Sequence, residues 1–122
     1  MSELDDSGKR ESFSTGAIRE PVNGRGRYDL ISPIALKALA IHMENGAKKY
    51  ADRNWEKGLP LSRFLNSAIG HLRKYQEGRR SEDHLSASIY NSMAIIHTLE
   101  MIDRGALPAE LNDLPNYMEV KK

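Results

Sequence analysis

From Ser81 to Arg104 the chain reads SEDHLSASIYNSMAIIHTLEMIDR, with apolar side chains on nearly every side of a helix drawn through it. Leu85, Ile89, Ser92, Ile96 and Leu99 form one stripe, while Ala87, Tyr90, Ala94 and Met101 cover the opposite side. A helix of this kind is buried on more than one face. Ser81, followed by Glu82 and Asp83, is the expected cap and acidic first turn; Gly105 with Pro108 beyond it is the stop. His84 and Asn91, seven residues apart, share a side with Ser88, Ile95 and Ile102. Polar groups in so apolar a helix need partners.

Two earlier segments show the same period. Ser32-Pro33 reads as cap and first helical residue, after which Leu36, Leu39, Ala40, Met43, Ala47 and Tyr50 recur at helical spacing until about Asp52. Ser62 cues a second helix through Phe64, Leu65, Ala68, Leu72 and Tyr75, ending at Gly78. It carries a polar line of Ser67, His71 and Lys74. The short connector Gly78-Arg79-Arg80 makes the second and third helices antiparallel neighbours and sets His71 opposite the first half of the third. The expected fold is all-α: a bundle of three main helices over residues 32–105. Three helices cannot cover one that is apolar all round, so a homodimer or higher homo-oligomer is expected to complete the bundle.

Outside the helices the pattern fades. Residues 1–12 are polar and expected to be disordered, without the apolar stretch of a signal peptide. Residues 13–31 form an arm whose Phe13–Arg27 portion, with three glycines and three arginines, reads as loop rather than helix or strand. The arm is either flexible or a phosphate-contacting segment that orders on binding. Residues 106–122 are a tail with a short helix near Ala109–Leu111 and no recognisable chemistry.

Composition narrows the classes. The length of 122 residues suits one domain with one modest core. Eighteen basic against seventeen acidic residues leave a net charge of +1, so neither a membrane nor a nucleic-acid polymer is an expected partner. No cysteine is present, which excludes thiolate metal sites and fits a reducing, cytoplasmic setting.

The chemistry that remains is oxygen, nitrogen and cation. Glu44 lies at the edge of the first helix's apolar face, where it either points into a cleft or pairs with Lys48. Lys49, Arg53 and Asn54 surround the single tryptophan, Trp55; they either hold phosphates and a base, or are solvated while Trp55 plugs the bundle end. His71 is either a satisfied structural histidine or a functional one. Glu44, Asp83, His84 and Asn91, with His71 joining from the second helix, are donors that a bundle could gather around Mg2+ and its phosphates. P-loop, GxGxxG and HExxH motifs are absent, and the four histidines lack tight zinc spacing.

Four blocks then resemble a known family: GRYDLISP (26–33), ENGAKKYADRNWEKG (44–58), SAIGHLRKYQEG (67–78) and EDHLSASIYNSMAIIHT (82–98). Together they resemble the phage dATP/dGTP diphosphohydrolase N-terminal family, grouped with the MazG-like all-α nucleoside triphosphate pyrophosphatases. The resemblance implies a helical bundle, often dimeric, that splits a purine (deoxy)nucleoside triphosphate into monophosphate and pyrophosphate. It implies Mg2+ as cofactor, with Mn2+ as a substitute, and a host-cytoplasmic location for a phage-encoded chain. Carried onto this sequence, Glu44 and Asp83 are the expected metal ligands with Asn91 beside them, and His71 or His84 orients water or a phosphate oxygen. Lys49, Arg53 and Lys74 would offset charge on the leaving pyrophosphate, and Asn54 and Trp55 would address the base. The Glu-Glu-x-x-Glu stretch of wider MazG-like enzymes is not present, and the start of the third helix offers Glu82 and Asp83 side by side. A nucleotide-binding module without hydrolysis, or a structural protein whose polar residues lock a dimer core, are the rival classes.

Overall fold

The computed structural model describes residues 8–21 and 23–119. The chain divides into two compact units, one up to Ser32 and one from Pro33 onward. In the first, β1 (Glu11–Ser12) pairs antiparallel with β2 (Ile18–Arg19), Glu11 opposite Arg19. Phe13 and Gly16 close the turn between them, and Arg10 pairs with Glu20. This corrects two expectations: Glu11 and Ser12 form a strand rather than disorder, and the arm is not all loop. Strands of two residues are too short to leave a period-two signal. Residues 1–7 of the expected disordered stretch lie outside the described residues. A 3-10 turn at Tyr28–Leu30 follows, where Arg27 donates twice to Asp29, each at 2.8 Å.

The second unit is helical: α1 (Pro33–Tyr50), α2 (Leu61–Gln76) and α3 (His84–Asp103), with 3-10 turns at Asn54–Lys57 and Ala109–Leu111. The fold class is all-α. Alpha-2 and α3 run antiparallel: His71 faces His84, Ser67 faces Asn91, and Phe64 meets Tyr90 edge-on. The seam of α3 is made of His84, Ala87, Asn91, Ala94 and Thr98, all buried. Their spacing of three and four places them on one face, and the small side chains of Ala87 and Ala94 let neighbouring helices approach closely. Leu61, Phe64 and Ala94 form the core, with Trp55, Tyr90, Ile95 and Leu114 packed against it.

Helix ends follow side-chain chemistry more than sequence proximity. Asp83, not Ser81, caps α3, accepting from the Ser86 backbone N–H at 2.9 Å and from its hydroxyl. Two acceptor oxygens matched to a serine three residues on outcompete a cap placed two residues earlier. Ser62 does not cap α2, which begins at Leu61; its N–H (2.9 Å) and hydroxyl both donate to Asp113 in the tail. Alpha-2 and α3 end in Schellman turns with Gly78 (φ +92°) and Gly105 (φ +77°) in the left-handed region.

The tail therefore closes the bundle. Asp113 caps α2, Leu114 reaches the core, and Leu107 and Leu111 crowd Gly58. A Cβ on Gly58 would come within 2.9 Å of Leu111 Cδ1 and 3.2 Å of Leu107 Cδ2, at a φ of +104°. Gly58→Ala is expected to destabilise the protein by about 1–3 kcal/mol, from backbone strain and overpacking together; chemical denaturation checks this.

The hydrogen bonds from Ser62 hold the Asp113 carboxyl below the usual carboxylate range. A depressed folded-state pKa means that its stabilisation is complete above the unfolded value and is lost as pH falls through the folded one. Asp113→Ala is thus expected to melt lower than the natural chain at neutral pH. That difference should vanish in acid, as melting curves across pH would show.

Candidate functional site

The end of α1, the following turn, the second half of α2 and the facing start of α3 enclose a cavity of about 650 Å³. Its wall takes His42, Lys49 and Tyr50 from α1, then Arg53, Asn54 and Trp55 from the turn. Ser67 and His71 come from α2, and Glu82, Asp83 and Tyr90 from the third-helix side. The backbone is unusual where this wall turns. Ala51 (φ +116°) and Arg53 (φ +58°) adopt left-handed conformations that non-glycine residues seldom hold. Such strain persists only where surroundings enforce it, and it tends to gather at functional sites.

The aromatic side of the cavity is locked by ring contacts. Trp55 stands edge-on to Tyr90 at 6.1 Å and to His97 at 4.9 Å, while His42 lies 5.4 Å from Tyr90. Trp55 packs on the core and also lines the cavity. Burial pushes the Tyr90 phenol up, so its O–H stays protonated. Lys49 sits 5.2 Å over the Tyr50 ring, and Arg53 donates to both oxygens of Glu56 at 3.0 and 3.2 Å.

The polar side holds the histidines. His71 Nδ1 and His84 Nδ1 are 2.9 Å apart. Glu82 Oε1 lies 3.7 Å from the first and 3.3 Å from the second. His84 is buried at 3% exposure, and its Nε2 finds no hydrogen-bond partner among the described residues. Burial, against the pull of Glu82, pushes the His71 imidazole down, which favours its neutral form at pH 7.

Other expected site residues are placed differently. Glu44 lies outside the cavity wall and pairs with Lys48 at 3.5 Å on the surface. Asp83 lines the cavity, but both its carboxylate oxygens accept from Ser86, which draws its pKa down. Asn91 is buried and turns its amide N–H group to Ser67 Oγ (3.2 Å) and the Ala87 carbonyl (2.8 Å). Lys74 is off the cavity wall, close enough to His71 to act on its charge. Glu44, Asp83 and Asn91 are therefore not gathered around one point by hydrogen bonds or ion pairs. His42, Tyr50, Tyr90 and Glu82 were not singled out as site residues from sequence, because histidine and tyrosine on an apolar helical face read as core.

With the cavity described, a comparison with protein-family models decides the relationship. Residues 16–106 match the model described as dATP/dGTP diphosphohydrolase, N-terminal. The chain belongs to that family. No curated protein and no solved structure matches it. The match takes in the whole cavity wall, from Ala38 to Tyr90. The family name is that of a hydrolase acting on purine deoxynucleoside triphosphates, and a nucleotide is the substrate it implies. Among the described residues, no helix is long and apolar enough to cross a membrane.

Proposed function

We propose that this chain hydrolyses a purine deoxynucleoside triphosphate, dATP or dGTP, to monophosphate and pyrophosphate in the 650 Å³ cavity. The observation that carries this reading is the cavity wall itself. One short segment supplies Lys49, Arg53, Asn54 and Trp55, and the opposite elements supply His71 and Glu82. Volume and lining suit a small ligand with an apolar base and charged groups. In this reading Lys49 and Arg53 hold phosphate oxygens, Asn54 and Trp55 meet the base, and Lys74 adds positive potential from beside His71. Asn91 acts as a positioning residue, fixing Ser67 of α2 against α3.

Mg2+ seeks several oxygen ligands in near-octahedral geometry. The expected donors fit this poorly: Glu44 is occupied with Lys48, Asp83 with Ser86, and Asn91 with Ser67 and Ala87. Mg2+ therefore enters this reading as the counter-ion of the triphosphate, the form in which such substrates occur in cytoplasm. Melting the protein with each dNTP tests for the ligand class. A ligand at a hundred times its Kd raises stability by about 2.7 kcal/mol. Purine dNTPs are expected to raise the melting temperature most, and no shift with any nucleotide would contradict the assignment.

Self-association belongs to the same proposal. Leu85, Ile89, Ile96 and Leu99 of α3 remain exposed, Ile96 at 70%, beside Leu72 of α2. This apolar face supports a homodimer built on α3. Light scattering is expected to give twice the chain mass, and Ile96→Glu to give the single-chain mass.

A further inference from the structure

The histidine corner of the cavity has a donor set of its own. His71 Nδ1, His84 Nδ1 and a Glu82 carboxylate oxygen all lie within 4.8 Å of one another. Three electron-rich atoms converge there, and only one proton fits between two nitrogens 2.9 Å apart. Regular structure holds the group in place. His71 projects from α2, His84 is the first residue of α3, and Glu82 stands just before the Asp83 cap. The Ser67–Asn91 bond fixes the register of the two helices further along. Ligands mounted on packed helices are held more tightly than ligands on loops.

We propose that His71, Glu82 and His84 bind one divalent first-row transition ion, of the class of Zn2+, Mn2+ or Co2+, in preference to Mg2+. Two imidazole nitrogens and one carboxylate oxygen are the donors such ions favour, whereas Mg2+ selects oxygen. The spacing agrees. Nitrogens 2.9 Å apart, each bonded to one ion at about 2.1 Å, subtend roughly 90° at it. Glu82 is 58% exposed and His84 only 3%, so the set runs from the surface into the protein. Three protein ligands leave a position for water or a phosphate oxygen, and His71 and Glu82 both line the cavity. Lys74 and His42 oppose a cation here, while Glu82 and the adjacent Asp83 favour it. The assignment rests on side-chain geometry and stands whether or not the chain cleaves nucleotides.

Cobalt titration of the full chain, stripped beforehand with a chelator, tests this without any activity assay. The expected result is visible d–d absorption saturating at one Co2+ per chain, displaced by Zn2+ but not by a large excess of Mg2+. His84→Ala risks the fold, so the more exposed His71→Ala and Glu82→Gln carry the test. Each is expected to weaken Co2+ binding about a hundredfold or more while keeping the helical circular dichroism. Absence of saturable absorption, persistence of it in both variants, or equal displacement by Mg2+ would overturn the assignment.

Discussion

His71→Ala is expected to lower kcat/KM for the preferred purine dNTP about a hundredfold or more, the usual scale for losing a positioned acid–base or ion-holding group. The His71 side chain lines the cavity, burial keeps its imidazole in the neutral form, and its Nδ1 meets His84 and Glu82. At 20% side-chain exposure it contributes less to packing than His84 does at 3%. Circular dichroism and melting should therefore change far less than turnover. Steady-state kinetics beside a melting curve separates the two. Turnover within a factor of a few of the natural chain would remove His71 from the chemistry.

Phe64→Ala is expected to cost about 3–5 kcal/mol, the range for emptying a buried aromatic site. Phe64 is 3% exposed, forms the core with Leu61 and Ala94, and supports Tyr90 edge-on. Such a loss is a large share of the roughly 5–15 kcal/mol that holds a domain together. It should also loosen the cavity, because Tyr90 in turn braces His42 and Trp55. Denaturant unfolding measures the first effect. Weaker nucleotide-induced stabilisation in the same variant would report the second.

The three helices were legible because apolar positions recur at helical spacing over 16 to 20 residues and glycines stand where the second and third stop. Their caps were less so. Ser81 and Asp83 are both good cap residues, and only the two bonds that Ser86 donates select Asp83. The cap of α2 comes from Asp113, 51 residues away, which no local pattern announces. The strands of β1 and β2 are below the length at which alternation can be read.

The site was legible in part for a related reason. Lys49 to Trp55 form a contiguous run, and they line the cavity almost together. His71 could be set against the third helix from the length of one connector, and the structure brings it to His84. Glu44 was ambiguous by spacing, since a lysine four residues on can pair with it, and that pair forms. Asn91 read as a ligand because a buried amide needs partners; it finds them in Ser67 and Ala87. Glu82 read as a helix-end acid, yet tertiary packing sets it beside two histidines.

The central claim is hydrolysis at the α–β phosphoanhydride of a purine dNTP. Its most direct test incubates the purified chain with each of the eight common NTPs and dNTPs, with divalent ion and with EDTA, and resolves the products by anion exchange. The expected result is monophosphate and pyrophosphate from dATP or dGTP, abolished by EDTA. Intact nucleotides, or diphosphate with inorganic phosphate, would contradict it; intact nucleotide co-eluting with the protein would mark a binding module.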